Sequence, residues 1–118
     1  MTTVIELPYD SPPIRSNQRH HWRTKAKLVR EVRAATKLVA GKVAPIAGQV
    51  IVSLIWTVPD RRIRDSGGPS PTLKAALDGI VDAGVLRADD STVVTEERCR
   101  IEYRAGVRGV RVEIEAAT

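Results

Sequence analysis

Carboxylates stand at both ends of one basic, glycine-containing stretch, Pro59 to Asp90, which reads PDRRIRDSGGPSPTLKAALDGIVDAGVLRADD. Asp65 closes a run of arginines, Lys74 lies on an amphipathic segment, and Asp89 with Asp90 ends the stretch. Magnesium is a hard cation held through one or two carboxylates plus waters. Hydrolysis of phosphate esters is the chemistry that such a site commonly serves. A helix lying on a sheet would bring Asp65 and Asp90 to a shared cation, with Lys74 as a positive charge beside the transition state. The plainer alternative is that Asp65 opens a turn and the Asp89, Asp90 pair belongs to a solvated loop.

The elements that must position these groups can be read from hydrophobic period. Thr2 to Leu7 reads as a strand, at an edge because Pro8 follows. Pro12, Pro13, Ser16 and Asn17 make an irregular loop, with Ser16 or Asn17 placed to cap a helix. From Gln18 to Ala40 the period is helical, with Trp22, Ala26, Val29, Val32, Thr36 and Val39 on the inward side. Arg23, Lys27, Arg30 and Lys37 share a different side, and Glu31 is the only acid between Gln18 and Lys42. That stripe is either a solvated helix face or a surface for phosphates. His20 and His21 precede it; adjacent histidines cannot face one way on a helix, so a phosphate or helix-end contact is expected rather than a metal pair.

After the Gly41 stop, Gln49 to Val58 is apolar on both alternating faces, as a strand in the sheet interior would be, with Trp56 in the core. Pro71 suits the first turn of a second helix. Its apolar stripe is Leu73, Ala76, Leu77, Ile80 and Val81, and Lys74, Asp78 and Asp82 lie opposite, before the Gly84 stop. Thr92 to Val94 reads as a short strand. Arg98 to Arg104 and Gly109 to Ala116 alternate and read as an antiparallel hairpin, with Ile101, Tyr103, Val110, Val112 and Ile114 inward. The expected fold is α/β or α+β, a mixed sheet of four to five strands covered by two helices.

A chain of 118 residues has the size of one domain, spanning residues 1–118. Aromatic residues are 3% with no Phe, so the core must be aliphatic and modest, which favours burial of a further face against a second copy. Lys plus Arg number 19 against 14 Asp plus Glu, a net charge of +5 that favours a polyanionic partner. A lone Cys99 rules out an internal disulfide and a multi-cysteine zinc site, and suits a small packed side chain. The N-terminus lacks the pattern of a signal peptide and no segment approaches the ~20 apolar residues of a membrane span, so a cytoplasmic protein without a membrane partner is expected.

Arg-Arg-x-Arg-Asp at Arg61 to Asp65, then TLKAALDGIVDAGV, then Asp89 and Asp90, resembles the RusA family of Holliday junction resolvases, particularly its phage-borne members. PPIRSNQRHHW ahead of a basic helix resembles that family's opening segment, and together the matches run from Pro12 to about Val94. The resemblance implies a RusA-like fold and a homodimeric, Mg²⁺-dependent endonuclease, with Mn²⁺ as an alternative ion and no small-molecule cofactor, that nicks four-way DNA junctions in pairs. It implies Asp65, Lys74 and Asp90 as catalytic residues and Asp65, Asp90 and Asp89 as metal ligands. Branched DNA would be held by Arg19, His20, Arg23, Lys27, Arg30, Lys37, Arg61, Arg62 and Arg64. The family usually reads Asp-x-Asp-Asn where this chain has Asp65, Ser66, Gly67 and Gly68, so the second carboxylate is missing. Water can replace an oxygen ligand but not its charge, so a weakened or metal-selective nuclease is expected, with Asp89, Asp78 or Asp60 as a substitute ligand. The alternative is a DNA-binding protein of the same fold that does not cleave.

Overall fold

Six elements follow one another in the computed structural model, which describes residues 1–117: β1 (Thr2–Leu7), α1 (Trp22–Ala40), β2 (Val50–Val58), α2 (Ser70–Asp82), β3 (Val94–Tyr103) and β4 (Gly109–Ala116). The strands form one mixed sheet in the order β1-β4-β2-β3. β3 runs parallel to β2, with Cys99 opposite Leu54, and β4 runs antiparallel on the other side, with Val112 opposite Leu54. β1 closes the far edge, antiparallel to β4, with Ile5 opposite Val112. A mixed four-stranded sheet with two helices is the architecture expected from the sequence.

The pairing of the last two strands is not. Alternation suggested a hairpin, but β2 is inserted between β3 and β4. A strand apolar on both faces gains most from neighbours on both edges, and α2 carries the chain back to start a parallel partner. The link after β3 then crosses the end of β2, where the Arg104 N–H donates to the Val58 carbonyl at 3.0 Å. β3 therefore becomes an edge strand. Ile101 is only half-buried and Tyr103 is 42% exposed, against the inward position expected for both, while Val110, Val112 and Ile114 of β4 are buried as expected. Thr92 lies in a turn rather than a strand, and β3 starts only at Val94.

One face of the sheet carries the core. Val50, Val52, Leu54, Trp56 and Val58 of β2 join Val110, Val112 and Ile114 of β4, Ile5 and Leu7 of β1, Val32 of α1, and Leu73, Leu77 and Ile80 of α2. Burial of each such aliphatic side chain is worth about 1.5–3 kcal/mol. The helices are in close contact at Gly79, where an added Cβ would lie 2.4 Å from the Arg33 carbonyl oxygen and 2.9 Å from Thr36 Cβ. Arg33 fastens the pair, donating to both carboxylate oxygens of Asp82 at 2.6 and 2.9 Å.

Helix α1 starts at Trp22 rather than Gln18, capped by His21, whose Nδ1 accepts the Arg23 N–H at 3.2 Å, instead of by Ser16 or Asn17. Trp22, expected inward, is 68% exposed, because it stands at the first position of a helix whose buried residues begin only at Val32. On the other sheet face Ile55 is buried, with Arg100 of β3 and Arg111 of β4 as its strand partners. Among the described residues no helix is long and apolar enough to cross a membrane.

Candidate functional site

The loop from β2 to α2 is shaped by its own side chains. Asp60 gathers the arginines of the basic run, with Arg64 Nη2 at 2.9 Å and Arg62 Nε at 3.4 Å. Hydrogen bonding from the Arg62 backbone N–H, then from Arg64, holds the Asp60 carboxyl below the usual range. Asp65 Oδ1 accepts the Gly67 N–H at 3.0 Å, and the Asp65 carbonyl accepts the Gly68 N–H at 3.2 Å. Asp65 thus does open a turn, with its carboxylate left exposed. The N-terminal loop docks against this turn. Ser16 N–H donates to the Gly68 carbonyl at 2.9 Å, and the buried Thr72 hydroxyl accepts from Ile14 N–H at 3.0 Å while donating to the Ile14 carbonyl at 2.6 Å.

The polar side of α2 holds the second group. Lys74 Nζ donates to Asp89 Oδ2 at 3.1 Å, and Asp78, one helical turn on from Lys74, lies near enough to Asp89 for the two carboxyls to influence one another. The link that leads to Asp89 is anchored by Val85 and Leu86, both buried in the core, and the Ile46 N–H donates to the Val85 carbonyl at 2.8 Å. Lys74 holds the Asp89 carboxyl low, and Asp89 in turn pushes the Lys74 ammonium up. The Asp78 carboxyl is pushed up, first by burial and then by the neighbouring Asp89. One carboxylate of the pair is therefore firmly ionised and the other takes a proton more readily.

Asp90 is used differently. Its Oδ1 accepts both the N–H of Thr92, at 2.9 Å, and the Thr92 hydroxyl, and these bonds hold its carboxyl low. Its carbonyl receives the N–H groups of Val93 and Val94, beside Val50 at the start of β2. Asp65, by contrast, lines a cavity with Trp56, near the end of that strand. The structure thus brings Lys74 to Asp89, and ties the Asp65 turn to the start of α2, where the Ser70 N–H donates to the Gly67 carbonyl at 3.1 Å. Among the described residues no three His, Cys, Asp or Glu side chains form a group able to hold a metal ion.

The cations divide by partner. Arg62 and Arg64 are engaged by Asp60, and Lys27 lies 3.8 Å from Glu31. Arg23, Arg30 and Lys37 are exposed on α1, opposite its buried residues. Arg19 and His20 precede that helix, His20 Nε2 lying 3.1 Å from Gln18 Oε1, and Arg61 stacks 4.1 Å from the centre of the Tyr103 ring. One feature escaped the sequence reading. Trp56 is only 6% exposed, as expected of a core residue, yet its ring has the guanidinium carbons of Arg15 and Arg64 within 5.6 and 5.7 Å. Asp78 was one of three aspartates offered as a substitute ligand, and its i, i+4 spacing from Lys74 was the signal that singled it out from Asp60.

No protein-family model matches the chain. It is 27% identical over 106 residues to an uncharacterized protein of Xylella fastidiosa (strain Temecula1 / ATCC 700964), a match covering 85% of this chain and 68% of that protein.

Proposed function

We propose that the protein is a metal-dependent endonuclease acting on branched DNA as a homodimer, with Lys74, Asp89 and Asp78 at the reacting centre and Asp65 in the adjoining loop. The observation that carries this reading is the contact of Lys74 with Asp89, with Asp78 alongside. Two carboxylates close enough to perturb one another suit a hard divalent cation, which needs one or two of them and completes its shell with water and substrate phosphate. Such a cation, when bound, polarises the phosphoryl oxygen and lowers the pKa of water. Lys74 stays protonated, because Asp89 raises its pKa, and so serves as a fixed charge and donor to a phosphate oxygen rather than as a base. Of the two carboxyls, Asp78 is pushed up by burial and Asp89 is held low by Lys74, so Asp89 is the stronger anion for the cation. The exposed cations of α1 supply phosphate contacts along the duplex arms. The resemblance of the Arg61 to Asp90 block to RusA resolvases supports the four-way junction as substrate, and its two-fold symmetry calls for two protomers.

The second reading, junction binding without cleavage, is favoured by Gly67, which offers no carboxylate beside Asp65. A labelled four-way junction incubated with protein in Mg²⁺ or Mn²⁺ and resolved on native and denaturing gels separates the two. Nicks that disappear in Asp89→Asn, with the native shift retained, are expected. A shift without nicks establishes the binder, and wild-type nicking by Asp89→Asn removes the proposed centre.

A further inference from the structure

The cavity between the N-terminal loop and the Asp65 turn holds about 170 Å³ and is lined by Arg15, Asn17, Trp56, Ile63, Arg64, Asp65 and Gly68. Its two arginines are not equivalent. Arg64 is committed, donating through Nη1 to the carbonyls of Asp60 and Arg62 and pairing through Nη2 with Asp60. Arg15 has a buried Nε with no hydrogen-bond partner among the described residues. Both guanidinium carbons lie within 6 Å of the Trp56 ring centre, so like charges converge on one aromatic surface, which offsets only part of their repulsion. A buried N–H without an acceptor, next to a second cation and the Asn17 amide, makes this wall of the cavity a donor surface suited to an anion.

We infer that Arg15, held against Trp56 and assisted by Arg64, binds a DNA phosphate adjacent to Asp65. The inference takes its substrate class from the proposed nuclease function, and assigns to Arg15 a positioning role by which the strand would be laid beside the Asp65 turn. The backbone is built for this. Ser16 is fastened to Gly68, and Ile14 to Thr72, so Arg15 lies between two residues bonded to the loop and helix that follow Asp65. Asp65 is the one anion lining the cavity, and in the absence of a divalent cation it opposes an incoming phosphate.

The test reads Trp56 directly. In Trp22→Phe protein, which leaves Trp56 as the sole tryptophan, emission is followed in EDTA at low salt during titration with inorganic phosphate and with a four-nucleotide thymidylate. A saturable change is expected with both. Arg15→Gln should weaken the apparent affinity at least about fivefold, with partial recovery in Arg15→Lys, since a lysine keeps the charge but loses the planar fork. Asp65→Asn should strengthen it about threefold, removing one repulsive charge at the cavity wall. Thermal unfolding of each variant establishes that it is folded. No saturable response, or equal affinity in Arg15→Gln, overturns the subsite. Because the titration needs neither metal nor cleavage, a protein that nicks junctions without a Trp56 response loses the subsite alone. One that responds but nicks nothing keeps the subsite and loses the nuclease reading.

Discussion

Replacing Lys74 by Gln should strengthen metal binding and weaken catalysis together. Lys74 Nζ lies 3.1 Å from Asp89 Oδ2, with the two side chains 62% and 31% exposed, so their interaction is close to its value in water. At ~4 Å that is about 1 kcal/mol for two unit charges, and about 2 kcal/mol for a lysine facing a divalent cation on the same carboxylate. Removing the ammonium frees an Asp89 oxygen and relieves that repulsion, so Mg²⁺ affinity should rise by about ten- to thirtyfold. The nicking rate at saturating Mg²⁺ should fall by about 10²–10³, the usual loss when one donor to a developing phosphoryl charge is deleted. Asp89, no longer held low by the lysine, should titrate at higher pH. Isothermal calorimetry with MgCl₂ and single-turnover nicking of a four-way junction measure the two halves. Unchanged Mg²⁺ affinity in both Lys74→Gln and Asp89→Asn would refute a cation site on this helix face.

Gly67→Asp is compatible with the turn, since a Cβ there would meet only Asp65 Oδ1, at 3.7 Å. If Asp65 is a ligand, the variant should bind Mg²⁺ and nick junctions more strongly, and unchanged titrations and rates would take this turn out of the ligand set. Gly79→Ala should lower the urea midpoint by about 1–3 kcal/mol of stability, because the new methyl must displace the α1 backbone. On the outer sheet face, Glu102 receives Arg111 at 3.0 and 3.1 Å, which lowers its pKa from an ordinary 4.5 to about 2. Its contribution to stability is complete above about 4.5 and is lost as the pH falls towards about 2, so Glu102→Gln should flatten acid unfolding across that window.

Much of this arrangement was legible where one residue's surroundings decide its place. The doubly apolar run at Gln49 to Val58 could only be an interior strand, and the Pro71 and Gly84 boundaries lie within two residues of the ends of α2. What escaped were choices made between distant segments. Alternation in Arg98 to Arg104 and Gly109 to Ala116 fixes which side chains share a face, but not which strand lies alongside. Demand for partners on both edges of β2 overrode the proximity that favours a hairpin. Trp22 has helical spacing from the core positions, yet periodicity is silent on how far a helix projects past the sheet. Arg15 looked like loop, because nothing local says that Ser16 and Ile14 will be bonded to residues 52 and 58 positions away.

The same topology decides which member of the acidic pair meets the lysine. Once β3 pairs in parallel with β2, with Val94 opposite Val50, the chain leaving α2 must travel back to the start of β2 before it can begin the strand. Val85 and Leu86 are the apolar anchors of that return path, both buried in the core. Asp89 then falls beside the exposed turn that carries Lys74 and Asp78, while Asp90 is left to brace the entry to β3 through Thr92. Adjacent aspartates that look interchangeable in the sequence thus have separate tasks. Asp89→Asn should remove Mg²⁺ binding with little change in stability. Asp90→Asn should leave Mg²⁺ binding intact and weaken the turn, because an amide oxygen accepts from Thr92 less strongly than a carboxylate. Loss of Mg²⁺ binding from the Asp90 variant alone would show that the return path is drawn wrongly.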